Sequence, residues 1–80
     1  MMKRSTPMDR NIGAKVKYYR NKLGLTQKDL AAQLQVNNCD ITETMVGQIE
    51  IGYRAVSVFE IDKLAEVLHV DYNALFAQDE

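Results

Sequence analysis

Apolar residues recur along the chain at spacings of three and four, the period of a helix with one buried face. Ile12, Val16, Tyr19 and Leu23 form the first such stripe, with Asp9 placed to cap it and Gly24 to end it. Thr26-Gln-Lys-Asp29 reads as the start of a second helix, Thr26 as N-cap and Asp29 near the positive end of the dipole. Its inward face is Leu30, Ala31 and Leu34. Residues 35–40 are the least regular stretch, with Asn37-Asn38 as a turn and Ile41 anchoring it to the core. Thr42 caps a third helix, over about 42–51, that turns Met45 or Val46 inward together with Ile49. Gly47 lowers this helix's intrinsic stability by up to about 1 kcal/mol relative to alanine, and Gly52 closes it.

Ser57-Val-Phe-Glu60 is a capping box, in which the serine bonds the backbone of Glu60 and the glutamate reaches back. Val58, Ile61, Leu64, Ala65 and Leu68 give the fourth helix a continuous apolar face. Asp71 caps a last short helix whose Leu75 and Phe76 fold back on the core. No strand-like alternation or internal repeat interrupts the pattern. The chain therefore predicts an all-α, compact five-helix bundle over 9–76. A flexible basic arm at 1–8 contains the only proline, Pro7, and an acidic tail occupies 77–80.

Eighty residues allow one domain, and a hydrophobic content of 46% with 26% charged residues is ordinary globular composition. No apolar run reaches the roughly 18 residues of a membrane span. The first residues lack the apolar stretch of a signal peptide, so a cytoplasmic location is expected. The net charge of −1 conceals a polarised chain: residues 1–28 hold eight bases against one acid, whereas 29–80 hold two bases against ten acids. Such a chain can present one positive surface to a polyanion while staying neutral overall, or its bases and acids can pair across the fold.

Catalysis is disfavoured. Cys39 and His69 are single, no nucleophile–base pair stands out, and the lone cysteine makes a disulfide framework impossible and a zinc site improbable. No base adjoins Cys39 in sequence to lower its pKa, and it reads as an unreactive loop residue. His69 lies at a helix end, where a cation suits the dipole. Tyr18 and Tyr19 read as core and helix-surface residues. Asp62, Glu66, Asp71, Asp79 and Glu80 form a solvated face without metal-ligand spacing. No enzyme activity, cofactor, metal or small-molecule ligand is expected.

The stretch Leu23-Gly-Leu-Thr-Gln-Lys-Asp-Leu-Ala31, followed by Met45-Val-Gly-Gln-Ile-Glu-Ile-Gly52, resembles the helix-turn-helix domain of the Cro and phage-repressor (XRE) family. The resemblance continues through Ser57–Phe76 and covers roughly residues 11–76. It rests on the ordered set Leu-Thr-Gln, Leu-Ala, Ile-Glu-x-Gly and Leu-Ala rather than on any one motif. It implies a lambda-repressor-like fold, double-stranded DNA as partner, and a transcriptional regulator, a repressor first, that reads the major groove with the third helix. One such domain buries little DNA surface, so a homodimer on two half-sites about one helical turn apart is expected, with the fifth helix and tail, around Tyr72–Phe76, as the candidate dimer surface.

On that helix Glu43, Thr44 and Gln48 are the candidate base contacts: glutamine can pair bidentately with adenine, and glutamate can accept from cytosine. The resemblance places phosphate contacts at Gln27, Gly52, Tyr53 and Arg54, with Lys28 and Thr42 as further candidates for such contacts. It also implies a buried ion pair between Arg20 and Glu50 that locks the third helix to the scaffold. Plainer readings make Gln27 a surface helix residue and Arg54 a solvated loop charge.

The chain departs from the family at Gln35, where a glycine is usual, and in about five extra residues around Val36–Asp40. Placing the insertion there keeps Ile-Glu-x-Gly at its distance from the fourth helix. A register without it would put 37–45 in the groove. The alternative function is a helical protein-interaction module, such as an antitoxin-like or accessory subunit.

Overall fold

The structure is a computed structural model that describes residues 6–77. It contains α1 (Pro7–Lys22), α2 (Gln27–Val36), α3 (Glu43–Glu50), α4 (Val58–Leu68) and α5 (Tyr72–Phe76), with no strand among the described residues. Residues 1–5 of the expected arm, and 78–80 of the expected tail, lie outside the described residues.

Local chemistry sets the helix starts. Thr26, Thr42, Ser57 and Asp71 cap α2 to α5 with their side-chain oxygens, satisfying amide donors that the first turn leaves unpaired. The start of α1 differs from expectation. Thr6 is its N-cap, Pro7 occupies the first turn, and Asp9 is the third helical residue, accepting from the Thr6 amide. Proline's fixed φ and missing N–H suit that position, so a residue taken as part of a loose arm instead starts a helix. At the other end, Leu23 caps the chain just before Gly24 and is exposed rather than part of the core stripe.

The core joins Ile12 and Val16 of α1 to Leu30 and Leu34 of α2, Val46 and Ile49 of α3, and Ile61, Leu64 and Leu68 of α4. Met45 is only half-buried, leaving Val46 as the inward residue. Val67 and Leu75 are also inside, whereas Val58 is 85% exposed. Val58 opens the first turn of α4, where the helical stripe has not yet come under the bundle. Phe76 reaches the surface too, edge-on to Tyr72.

α1 packs chiefly on α3, and α2 supports α3 from another side. The α1–α3 contact is unusually close because Gly13 is buried there. A Cβ at this position would collide with the Ile49 carbonyl oxygen and lie 2.8 Å from that of Glu50. Gly52 makes a comparable approach just beyond α3: its φ is +78°, and a Cβ would sit 2.9 Å from Arg10 Cα.

Between α2 and α3 the chain makes a true connection, residues 37–42, so α3 follows the inserted register. Asn38 adopts a left-handed conformation at φ 65°. The Cys39 amide donates to the Leu34 carbonyl at 2.9 Å, and Gln35 Nε2 donates to the Ile41 carbonyl at 3.0 Å. Cys39 and Ile41 are both buried, so the connection is pinned by two side chains instead of lying loose. The unreactive reading of Cys39 is therefore refined: it is a core residue, and burial pushes its thiol pKa up, with the Glu60 carboxylate adding to the effect.

Candidate nucleic-acid interface

One side of α3 is bolted down and the other is open. Val46, Ile49 and Glu50 are buried, whereas Glu43 and Thr44 are exposed and Gly47 and Gln48 half-exposed. Thr44, Gln48 and Ile51 follow one another at spacings of four and three, a single outward stripe on a helix. Ile51, the C-cap residue, is 71% exposed. Thr42 stands at the start of this rod, where its hydroxyl accepts from the Met45 amide at 3.2 Å.

A buried network fixes the rod's orientation. Arg20 Nε donates to Glu50 Oε2 at 2.6 Å, and an Arg20 Nη donates to Oε1 at 3.0 Å. The other Nη donates to the Leu25 carbonyl at 2.8 Å, holding the α1–α2 turn. Gln27 Nε2 also donates to Glu50 Oε1, at 3.0 Å. One carboxylate thus ties together α1, α2 and α3. Hydrogen bonding to Glu50 raises the Arg20 pKa, and burial opposes it only partly. Gln27, assigned by resemblance to a phosphate, has its side-chain amide committed to this network, while its position at the start of α2 leaves its backbone N–H facing outward from the helix end. Lys28 beside it is exposed.

Beyond α3 the chain turns sharply, and the Tyr53 and Arg54 amides both donate to the Gln48 carbonyl. Gln48, Tyr53, Arg54 and Ala55 border a concavity of about 370 Å³. Arg54 is neither a solvated loop charge nor an isolated cation. Its two Nη atoms donate to the two carboxylate oxygens of Glu60, at 3.1 and 2.9 Å. Glu60 also accepts from the Ser57 amide, closing the α4 capping box. Burial alone would raise the Glu60 pKa, but the hydrogen bonds from Arg54 and Ser57 outweigh it and the net shift is downward. The same pairing raises the Arg54 pKa.

Three residues of this region do not stand out in the sequence: Gly13, Glu60 as an arginine partner, and Asn11, whose side-chain amide donates to the Phe76 and Ala77 carbonyls at the end of α5. Glu60 carried a signal, since a capping-box glutamate six residues from the sole base between Lys28 and Lys63 is within reach across a short turn. Gly13 carried none. His69 ends α4 in a left-handed conformation, and exposed Tyr18 meets Tyr19 edge-on at 5.0 Å, Tyr19 itself packing half-buried against the core. Among the described residues no group of acids, cysteines and histidines could hold a metal ion, and no helix is long and apolar enough to cross a membrane.

This arrangement, a rigid outward rod set by a helix crossing behind it, is helix-turn-helix geometry. The helix-turn-helix family profile matches residues 16–75, and the chain belongs to that family. No curated protein matches it by sequence. Among solved structures it is similar to the restriction-modification controller protein C.AhdI from Aeromonas hydrophila, at 31% identity and TM-score 0.75 over 85% of this chain and 91% of that one. It is similar also to an HTH_3 family transcriptional regulator from Vibrio cholerae, at 28% identity and TM-score 0.75 over 90% of this chain and 38% of the other. The BldD DNA-binding domain of S. venezulae aligns over 90% of this chain and 100% of its own length, at 25% identity and TM-score 0.75.

Proposed function

We propose that the protein is a sequence-specific transcriptional repressor that inserts α3 into the major groove of an operator and binds as a homodimer. The broader statement, that it is a DNA-binding transcriptional regulator, follows from its membership of the helix-turn-helix family. The observation that carries the groove-reading role is the division of α3 itself: Val46, Ile49 and Glu50 are locked inward, and Thr44 and Gln48 face out. A helix so held can meet base edges without an ordering cost at the moment of binding. Glu43, Thr44 and Gln48 are the base-reading side chains. Lys28, the amides at the start of α2, Thr42 and the Gly52–Arg54 turn supply the phosphate contacts. This role needs no catalytic step, cofactor or metal.

The dimer is supported by the apolar surface at α5. Tyr72 and Phe76 are exposed beside Met8 and Val58, around a groove of about 420 Å³ floored by Ile12 and Ile61. Sedimentation of Tyr72→Lys against the wild type tests this, with a shift toward monomer expected and an unchanged dimer removing that surface.

Selection of bound DNA from a random pool, with Gln48→Ala as control, tests the main reading. The wild type should enrich one motif, and Gln48→Ala should relax it at a defined base. Enrichment of nothing at low salt would overturn the reading. One observation favours a protein-interaction module instead: residues 43–51 hold no base, and the outward face combines Glu43 with the bare Ile51. The same selection separates the two.

A further inference from the structure

The described helices include three capping boxes, and they differ in one respect. In α1 and α2 the returning acid is an aspartate, Asp9 and Asp29; in α4 it is Glu60. Capping in this fold therefore works with the shorter side chain. The extra methylene of Glu60 allows its carboxylate to serve the Ser57 amide and the Arg54 guanidinium together. A carboxylate bonded to both Nη atoms occupies one of the two bidentate edges with which a guanidinium can grip a phosphate. The pair is reachable, with Arg54 and Glu60 side chains 28% and 16% exposed, and Arg54 borders the concavity that Gln48 also lines.

We propose that Glu60 is a positioning residue that holds Arg54 in the free protein as a stand-in for a DNA phosphate, so that the Nη edge of Arg54 engages the backbone only by exchanging one partner for the other. This rests on the DNA-binding reading above. The consequence is restraint: the pair is neutral as a unit, and duplexes that do not seat α3 well gain little from Arg54.

Glu60→Asp keeps both the charge and a capping acid already used twice in this protein, but shortens the reach to Arg54. Glu60→Gln keeps the capping pattern and removes the charge. Affinity for a short mixed-sequence duplex is measured by fluorescence anisotropy across a salt series, for the full chain in wild-type and Arg54→Ala backgrounds, with melting curves as the folding control. Glu60→Asp is expected to bind about two- to fivefold tighter than wild type, the scale of a partly exposed ion pair. Glu60→Gln should bind at least as tightly as Glu60→Asp, with a salt slope steeper by about one. In the Arg54→Ala background the gain from Glu60→Asp should disappear.

Unchanged or weaker binding by Glu60→Asp overturns the proposal, as does an equal gain in both backgrounds. Should either Glu60 variant melt early, the other carries the same comparison. If the wild type binds no duplex at low salt, the DNA reading and this inference fall together; if it binds and only the exchange fails, the DNA reading stands.

Discussion

Arg20–Glu50 and Arg54–Glu60 use the same two side chains at nearly the same range, with closest contacts of 2.6 and 2.9 Å. Their surroundings differ. The first pair is sealed between helices, its side chains 10% and 2% exposed, and recruits Gln27 and the Leu25 carbonyl as further partners. The second sits at the rim of the α3–α4 turn, 28% and 16% exposed, and shares its acid with a helix cap. Burial decides what each can do. A sealed pair cannot change partners without unfolding its neighbourhood, and so it sets the angle of α3. A rim pair exchanges partners at small cost, and so it can respond to an incoming anion.

Removing Glu50 is the harshest way to break this contrast. Glu50→Ala strands Arg20 in the interior and should cost about 3–5 kcal/mol. In a domain of this size that lowers Tm by more than about 10 °C. A loss below about 1 kcal/mol in thermal melting would put the inner pair in the class of the outer one. Gly13→Ala attacks the same seam from the other side. The added methyl meets backbone carbonyls that cannot rotate away, so α1 must lift from α3, with a loss of about 1–3 kcal/mol expected in urea titration.

The outer pair answers to acid. The Glu60 carboxyl has a lowered folded pKa, so its contribution is complete above the unfolded value of about 4.3 and is lost as pH falls through the folded value. Wild-type stability should fall over that acid window, by no more than about 1 kcal/mol for this group. Glu60→Gln should flatten that part of the profile, and an identical acid profile in the two proteins would contradict the assignment. The smallest effect has the opposite sign. A Cβ on Gly47 meets only the Gln27 side chain, at an ordinary 3.6 Å, so Gly47→Ala should raise stability by up to about 1 kcal/mol. A destabilised Gly47→Ala would show that α3 packs against Gln27 more tightly than this.

What could be read from the chain, and what could not, divides by range. Thr26, Ser57 and Asp71 announce their helices because a cap is written within four residues. Thr6 escaped because proline after it resembles a break, although proline is as well suited to a first turn. Val58 fits the apolar stripe of α4, but periodicity does not say where along a helix the neighbouring elements stop covering it. Gly13 is intelligible only once α3 lies against it, and its reason is a carbonyl more than thirty residues away. The candidate interface followed the same rule. The outward positions of α3 followed from helical spacing, whereas the partners of Gln27 and Arg54 depended on which acids the fold brought to them.

The tucked Cys39 turns the α2–α3 connection into its own stopwatch. Its sulfur is screened while the segment stays down, so an alkylating reagent can trap it only during moments of opening. Trapping rates then count how often that segment lifts, with every other position of the protein silent to a thiol reagent. A duplex gripped along α3 should slow the count, giving a readout of occupancy that needs no label on the nucleic acid.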